Sequence, residues 1–500
     1  MRTDKEQLYL INEKLTARRS VSAKKRAVWI SVIAAVLTTT LILSSVIVLP
    51  GLLKKKGGVT LPVDVNDPAT PVNSGKDVKN EEYYVRPEGG SENDPHGLPY
   101  LGDDLSDKHD WWLEPSAMPT PVPEYEGGDS KYVIRGDDTV VGPEPTIPGV
   151  IDEHPVDYDP QVDYRPGQLT GAELKDLLNY EEFVKSIAEL KTANGNNPLV
   201  NVNALHLIKV TVKNGETPVA GAKVRLDGAN YAAVTDNKGV AYLFYNLKDG
   251  DQYSPVSVSV AAGGAAATAS VVDENGAVKG EVAVQLQTES PAKKLDMMFM
   301  IDTTGSMSDE LEYLKSEIKD IIARVYNDGE IPVRTSVNFY RDATDQYIVH
   351  NTPFTDNADE VYGYINAERA DGGGDYPEAV HTALDCAVNG HAWDEDAIKL
   401  CFVVLDAPPH SEQAVADSLY STINDAAEKG IRIIPIVSSG SDQLTEYLMR
   451  TYAALTGGTY TFLTNHSGIG NPHADPTTDT QYSVEMLNDM IVRIVKEYCA

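Results

Sequence analysis

Cysteine is nearly absent. The 500 residues hold three, Cys386, Cys401 and Cys499, too few for a disulfide scaffold. Cys401 lies in an apolar strand-like run and Cys386 in a helical one, so both read as small buried residues. A Cys386–Cys401 bridge is the alternative. Positive charge is also scarce: 42 Lys and Arg against 75 Asp and Glu, a formal charge of −33. Phosphate backbones are held by cationic side chains, so nucleic acid is excluded as a partner. Catalytic signatures are missing too. There is no His-Glu-x-x-His, no Gly-x-Ser-x-Gly and no Gly-x-x-x-x-Gly-Lys. These absences point away from an enzyme.

The charge that is present is unevenly spread. Residues 1–56 carry 11 basic and 3 acidic side chains, and the remainder 31 basic and 72 acidic. Between the basic flanks lies Ala27–Leu49, uncharged and rich in Ile, Val, Leu and Ala. A helix of that length crosses about 30 Å of hydrocarbon, and no small-x-small cleavage site follows it. The segment therefore reads as an uncleaved transmembrane anchor. Arg18, Arg19, Lys24, Lys25 and Arg26 precede it and Lys54, Lys55 and Lys56 follow. The basic excess on the N-terminal side places residues 1–26 in the cytoplasm and the acidic remainder outside the cell.

Residues 57–168 hold 16 of the 29 prolines and few apolar runs, the composition of an extended linker. Residues 169–193 have helical spacing through Leu174, Leu177, Leu178, Phe183, Ile187 and Leu190. Thr170 and Glu173 are placed as a capping box. Residues 203–289 alternate instead, as in Ile208-x-Val210-x-Val212 and Val256-x-Val258-x-Val260. Asn214-Gly215, Asp249-Gly250 and Asn275-Gly276 provide turns. Alternation at this spacing predicts a small antiparallel, Ig-like β-sandwich. Pro218-Val-Ala-Gly-Ala-Lys-Val-Arg-Leu226, followed by Thr235-Asp236-x-x-Gly239, resembles the carboxypeptidase-regulatory-like and collagen-adhesin B-type domains of bacterial surface proteins. Some of those form a Lys–Asn crosslink. Lys209 falls on the first strand, but the last strand offers no Asn, so the crosslink is not carried over.

From residue 294 to 500, strand and helix patterns alternate, which predicts a doubly wound, mainly parallel sheet of Rossmann-like type. Three loops should meet at the carboxyl ends of its strands. The first is Asp302-Thr-Thr-Gly-Ser306, where Asp302, Thr304 and Ser306 can turn one carboxylate and two hydroxyls to a common point. The second is Asp371-Gly-Gly-Gly-Asp375-Tyr-Pro-Glu378. The third is Asp406-Ala-Pro-Pro-His410. Hard cations take such oxygen ligands, Mg²⁺ at roughly 2.0–2.1 Å. An under-neutralised ion would attract a further carboxylate from outside.

These three loops, in this order, resemble the von Willebrand factor type A (vWA) domain of the bacterial surface branch. The resemblance implies a metal-ion-dependent adhesion site with Asp302, Thr304 and Ser306 as first motif and Asp406 as late aspartate. The family's threonine in the second loop is missing: Gly374 stands in its place and Asp375 is next, so Asp375 is expected to supply the oxygen. His410 and His466 are candidates for a ligand groove, with His473 close by in sequence. The expected protein is a membrane-anchored surface adhesin. It would use Mg²⁺, with Ca²⁺ or Mn²⁺ as alternatives, to bind a protein presenting an acidic side chain. Two other readings are a metal-dependent extracellular hydrolase with Asp375 or His410 as base, and a scaffold for membrane-protein assembly.

Overall fold

A computed structural model describes residues 83–85, 162–195, 206–229, 231–247 and 251–500. The expected cytoplasmic tail, the transmembrane segment Ala27–Leu49 and most of the linker lie outside the described residues. Among the described residues no helix is long and apolar enough to cross a membrane.

The strands are β1 (Tyr83–Val85), β2 (Thr170–Leu174), β3 (His206–Asn214), β4 (Thr217–Pro218), β5 (Lys223–Leu226), β6 (Ala232–Val234), β7 (Val240–Tyr245), β8 (Ser257–Ala262), β9 (Ala265–Ser270) and β10 (Glu281–Gln285). They continue as β11 (Leu295–Asp302), β12 (Val333–Tyr340), β13 (Val349–Asn351), β14 (Ile398–Leu405), β15 (Ile431–Val437), β16 (Tyr460–Leu463) and β17 (Val484–Met486). The α-helices are α1 (Tyr180–Asn194), α2 (Leu311–Asp328), α3 (Ala358–Ala367), α4 (Val380–Asn389), α5 (Gln413–Lys429), α6 (Gln443–Leu455) and α7 (Leu487–Cys499).

A nine-stranded sheet runs β1-β13-β12-β11-β14-β15-β16-β2-β17. Its centre, β12 to β16, is parallel, and the strands at both margins are antiparallel. Every residue of β11 is buried. Both its faces are covered by helices, which is why Leu295–Ile301, apart from Asp296, reads as apolar sequence rather than alternation. This is the α/β architecture expected from the sequence.

Two four-stranded sheets lie between β2 and β11 in the chain, β10-β3-β4 with β7 on β3, and β6-β5-β8-β9. Their inward residues, among them Ile208, Val210, Val224 and Val258, share one core. The module is not wholly antiparallel as expected, because β10 pairs with β3 in parallel. Lys209 meets Glu281 at 2.8 Å rather than an Asn.

The segment at 169–193 departs further from expectation. Thr170–Leu174 is a strand and not the first turn of a helix. It pairs antiparallel with both β16 and β17, and only Tyr180–Asn194 is helical. Tertiary pairing overrides the local helical spacing here. Gly171 reports the closeness: a Cβ there would lie 2.8 Å from Met490 Cε and 3.1 Å from the Phe462 carbonyl. Glu317 of α2, fully buried, accepts the backbone N–H groups of Gly167, Gln168 and Leu169 at 2.8, 2.8 and 3.0 Å. The α/β domain therefore starts well before residue 294, and the two small sheets are inserted within it. Tyr83–Val85, expected in the linker, is an edge strand on β13. Val484–Met486, just before α7, is a strand on β2. All three cysteines are free thiols.

Candidate metal site

β11 delivers Asp302 to the carboxyl edge of the sheet, fully buried. Its Oδ1 accepts the Thr304 N–H at 2.9 Å and the Thr304 hydroxyl at 2.6 Å. Its Oδ2 has no partner. Thr304 Oγ1 lies 3.1 Å from Ser306 Oγ, so the first motif closes into one oxygen cluster. The neighbouring Thr303 is a framework residue, bonded to Tyr340 O at 3.1 Å and Tyr347 Oη at 2.9 Å.

The glycine loop is bound to this motif through its backbone. Gly305 N donates to Gly372 O at 3.1 Å, and Asp371 N donates to Thr303 O at 3.0 Å. Gly373 has φ +80°, and a Cβ there would approach Glu378 Oε1 at 3.3 Å and Thr304 Cβ at 3.4 Å. A side chain would fill the space between the two loops, so glycine lets the backbone close in.

Behind that backbone stands Glu378 and not Asp375. Asp375 is exposed. Glu378 is 3% exposed and its Oε2 has no partner. Its N–H donates to Pro408 O at 3.0 Å, which fastens the second loop to the third. Asp406, at the end of β14, is also buried, and its Oδ1 has no partner. Among the described residues, none of Asp302, Glu378 and Asp406 forms an ion pair with Lys, Arg or His.

Burial and neighbouring negative charge raise the proton affinity of all three carboxyls. Burial is the largest cause for each. It pushes Asp302 up to about 6 and, with the charge of Asp302, Asp406 up to about 8. Glu378 is pushed up to about 10 by burial and by Asp302, Asp342, Asp345 and Asp406. The Tyr340 hydroxyl is buried beside Asp302, Glu378 and Asp406, and it faces Asp302 without a hydrogen bond of regular geometry. A divalent cation would repair this charge imbalance. Among the described residues no three Asp, Glu, His or Cys side chains converge closely enough to hold an ion by themselves. The hydroxyls of Thr304 and Ser306 would have to complete the set, as hard cations accept.

The histidines are dispersed. His410 Nε2 is 2.7 Å from Asp342 Oδ1. His466 is exposed. His473 is buried, with Nε2 2.7 Å from Glu310 Oε1. Tyr376 is the exposed aromatic at the rim, 45% accessible. Sequence reasoning assigned no role to Glu378 or Tyr340. The available signal for Glu378 was its place after Pro377 and before the apolar Ala379-Val380, which turns it toward the core.

The sequence pattern of the von Willebrand factor A domain family matches residues 296–469. Residues 296–469 are thus a vWA domain. A putative ariadne-like RING finger protein of Acanthamoeba polyphaga mimivirus is 29% identical over 133 residues. The match covers 26% of this chain and spans only 13% of that protein's length. Among solved structures, BatB, a conserved hypothetical protein of Bacteroides thetaiotaomicron, matches at 13% identity and TM-score 0.28. That match covers 41% of this chain and 98% of BatB.

Proposed function

We propose that this protein is a membrane-anchored surface binding protein whose vWA domain engages a protein ligand through a divalent cation. Asp302, Thr304, Ser306 and Asp406 would hold the ion, with Glu378 in the place first given to Asp375. The observation that carries the reading is the set of three buried carboxyls, each with one unpartnered oxygen and no basic neighbour. When bound, the cation offers a coordination position to an acidic side chain of the ligand. Asp302 orients the Thr304 hydroxyl, the glycine loop keeps side chains away from the centre, and Glu378 adds a third negative charge. That third charge holds a cation more firmly and lowers its attraction for an incoming carboxylate. Mg²⁺ suits the all-oxygen set, as do Mn²⁺ and Ca²⁺. The apolar run Ala27–Leu49 supports membrane anchoring, and the acidic remainder supports an extracellular position. Asp375 and His410, on which a hydrolytic reading would rest, have different surroundings: one is exposed and the other is held by Asp342.

Calorimetric titration of the full chain with MgCl₂ and MnCl₂ tests the reading. Saturable binding near one ion per chain, lost in Asp302→Ala with the fold intact, is expected. No binding of either ion to the folded protein would remove it.

A further inference from the structure

The opposite edge of the sheet holds a second unsatisfied site, of opposite sign. There the small-sheet module and the α/β domain enclose a cavity of about 280 Å³ at the first residues of β14 and β15. Arg432, the second residue of β15, lines it and is 6% exposed. Its Nη1 donates to Gly430 O at 3.3 Å and its Nη2 to Val234 O at 3.5 Å, both at the long limit of a hydrogen bond. Its Nε has no partner. The guanidinium carbon is 5.4 Å from the centre of the Tyr498 ring. Among the described residues no carboxylate pairs with it.

Lys399 lines the same cavity and is also 6% exposed. Its Nζ donates only to the carbonyls of Glu395 and Ala397, at 2.8 and 3.1 Å. Burial holds its pKa below the ordinary lysine value; Arg432 adds to that lowering, and Asp296, Asp394 and Asp396 oppose it. Two buried cations lacking a carboxylate partner stand out in a chain of charge −33. An uncompensated buried charge is costly, and a bound anion would relieve it.

We propose that this interdomain cavity binds a small organic carboxylate, with Arg432 as its anchor. The guanidinium fork matches a planar carboxylate. Pro218, Pro291 and Tyr498 supply apolar wall, which suits a ligand with a hydrocarbon body. The acidic Asp236, Glu395 and Asp396 also line it. They disfavour a dianion such as phosphate more than a monoanion.

The test is thermal unfolding of the full chain with sodium benzoate, titrated against sodium chloride at constant ionic strength. Benzamide serves as neutral isostere and inorganic phosphate as the second anion. A saturable rise in Tm with benzoate is expected, with none from benzamide and a much weaker one from phosphate. Chelator should leave it unchanged, which separates this site from the metal site. Arg432→Gln should weaken benzoate at least tenfold. Ala292→Trp, at an exposed position lining the cavity, should do the same with Arg432 intact, and it decides the matter if Arg432→Gln does not fold. No saturable response in the wild type, an equal response to benzamide or phosphate, or an undiminished response in Ala292→Trp would overturn the proposal.

Discussion

Arg450 and Asp176 form a bidentate pair inside the molecule, with Nε–Oδ2 at 3.0 Å and Nη2–Oδ1 at 2.8 Å. Their side chains are 1% and 9% exposed. The pair joins α6 to the β2–α1 connection, segments 274 residues apart. Arg450 also bonds Glu446 at 3.0 Å and Thr477 O at 2.7 Å, and its guanidinium sits 5.7 Å from the Phe183 ring centre.

Removing one partner should therefore be expensive. Asp176→Ala is expected to cost about 3 kcal/mol, the low end for a broken buried pair, because Glu446 still faces Arg450. Urea unfolding of Asp176→Ala, Arg450→Met and the double variant checks this. The double variant should be closer to the wild type than the sum of the singles. Strict additivity would mean that the pair is not coupled.

A fragment beginning at Lys294 should fail to fold natively. It lacks β2, the partner of both β16 and β17. It also leaves Glu317 without the three N–H groups it accepts. A fragment of residues 162–500 should give a cooperative thermal transition and the Lys294 fragment none. A cooperative transition in the shorter piece would show that β2 is dispensable.

Metal affinity should separate the two acids of the second loop. Asp375→Thr, at an exposed position, should leave Mg²⁺ affinity within about twofold. Glu378→Gln should lower it by about tenfold, roughly 1.4 kcal/mol. Calorimetry on the full-length variants reads both. The reverse ranking would restore Asp375 to the site.

The carboxyls also set a pH dependence. Asp302, Asp406 and Glu378 are raised in the folded state to about 6, 8 and 10. The folded protein then binds more protons than the unfolded chain. Their contribution is full at low pH and is lost as pH rises through the folded values. In chelator, the urea midpoint should fall between about pH 5 and pH 9, and excess Mg²⁺ should flatten the fall. A midpoint that rises across this range in chelator would contradict the assignment.

Much of the architecture was legible because the parallel strands are buried on both faces. Cys401–Leu405 is a continuous apolar run and Leu295–Ile301 is apolar except for Asp296, and each run is followed by the aspartate that reaches the site. Marginal strands left no such mark. Thr170–Leu174 carries a threonine, a glutamate and helical spacing, and only its pairing on both sides makes it a strand. Gly171 was the warning, since glycine is poor in a first helical turn. In the candidate site, Asp302, Thr304 and Ser306 were readable from spacing, and Asp406 through the resemblance to the vWA family. The choice between Asp375 and Glu378 rested on a weaker signal, the Pro377 and apolar Ala379-Val380 that flank Glu378. Spacing alone does not say which of the two the folded loop buries.

The inserted position of the two small sheets has a mechanical consequence. Both ends of the module, at β3 and β10, connect to strands or helices of one α/β domain. If a ligand is held at the proposed metal site, a pull between it and the N-terminal side would pass through the β2–β16 and β1–β13 ladders. It does not pass along the module. The small sheets therefore neither lengthen the molecule under load nor carry tension until β2 has been torn from the sheet. Under such a load they would sit beside the path of tension rather than in it.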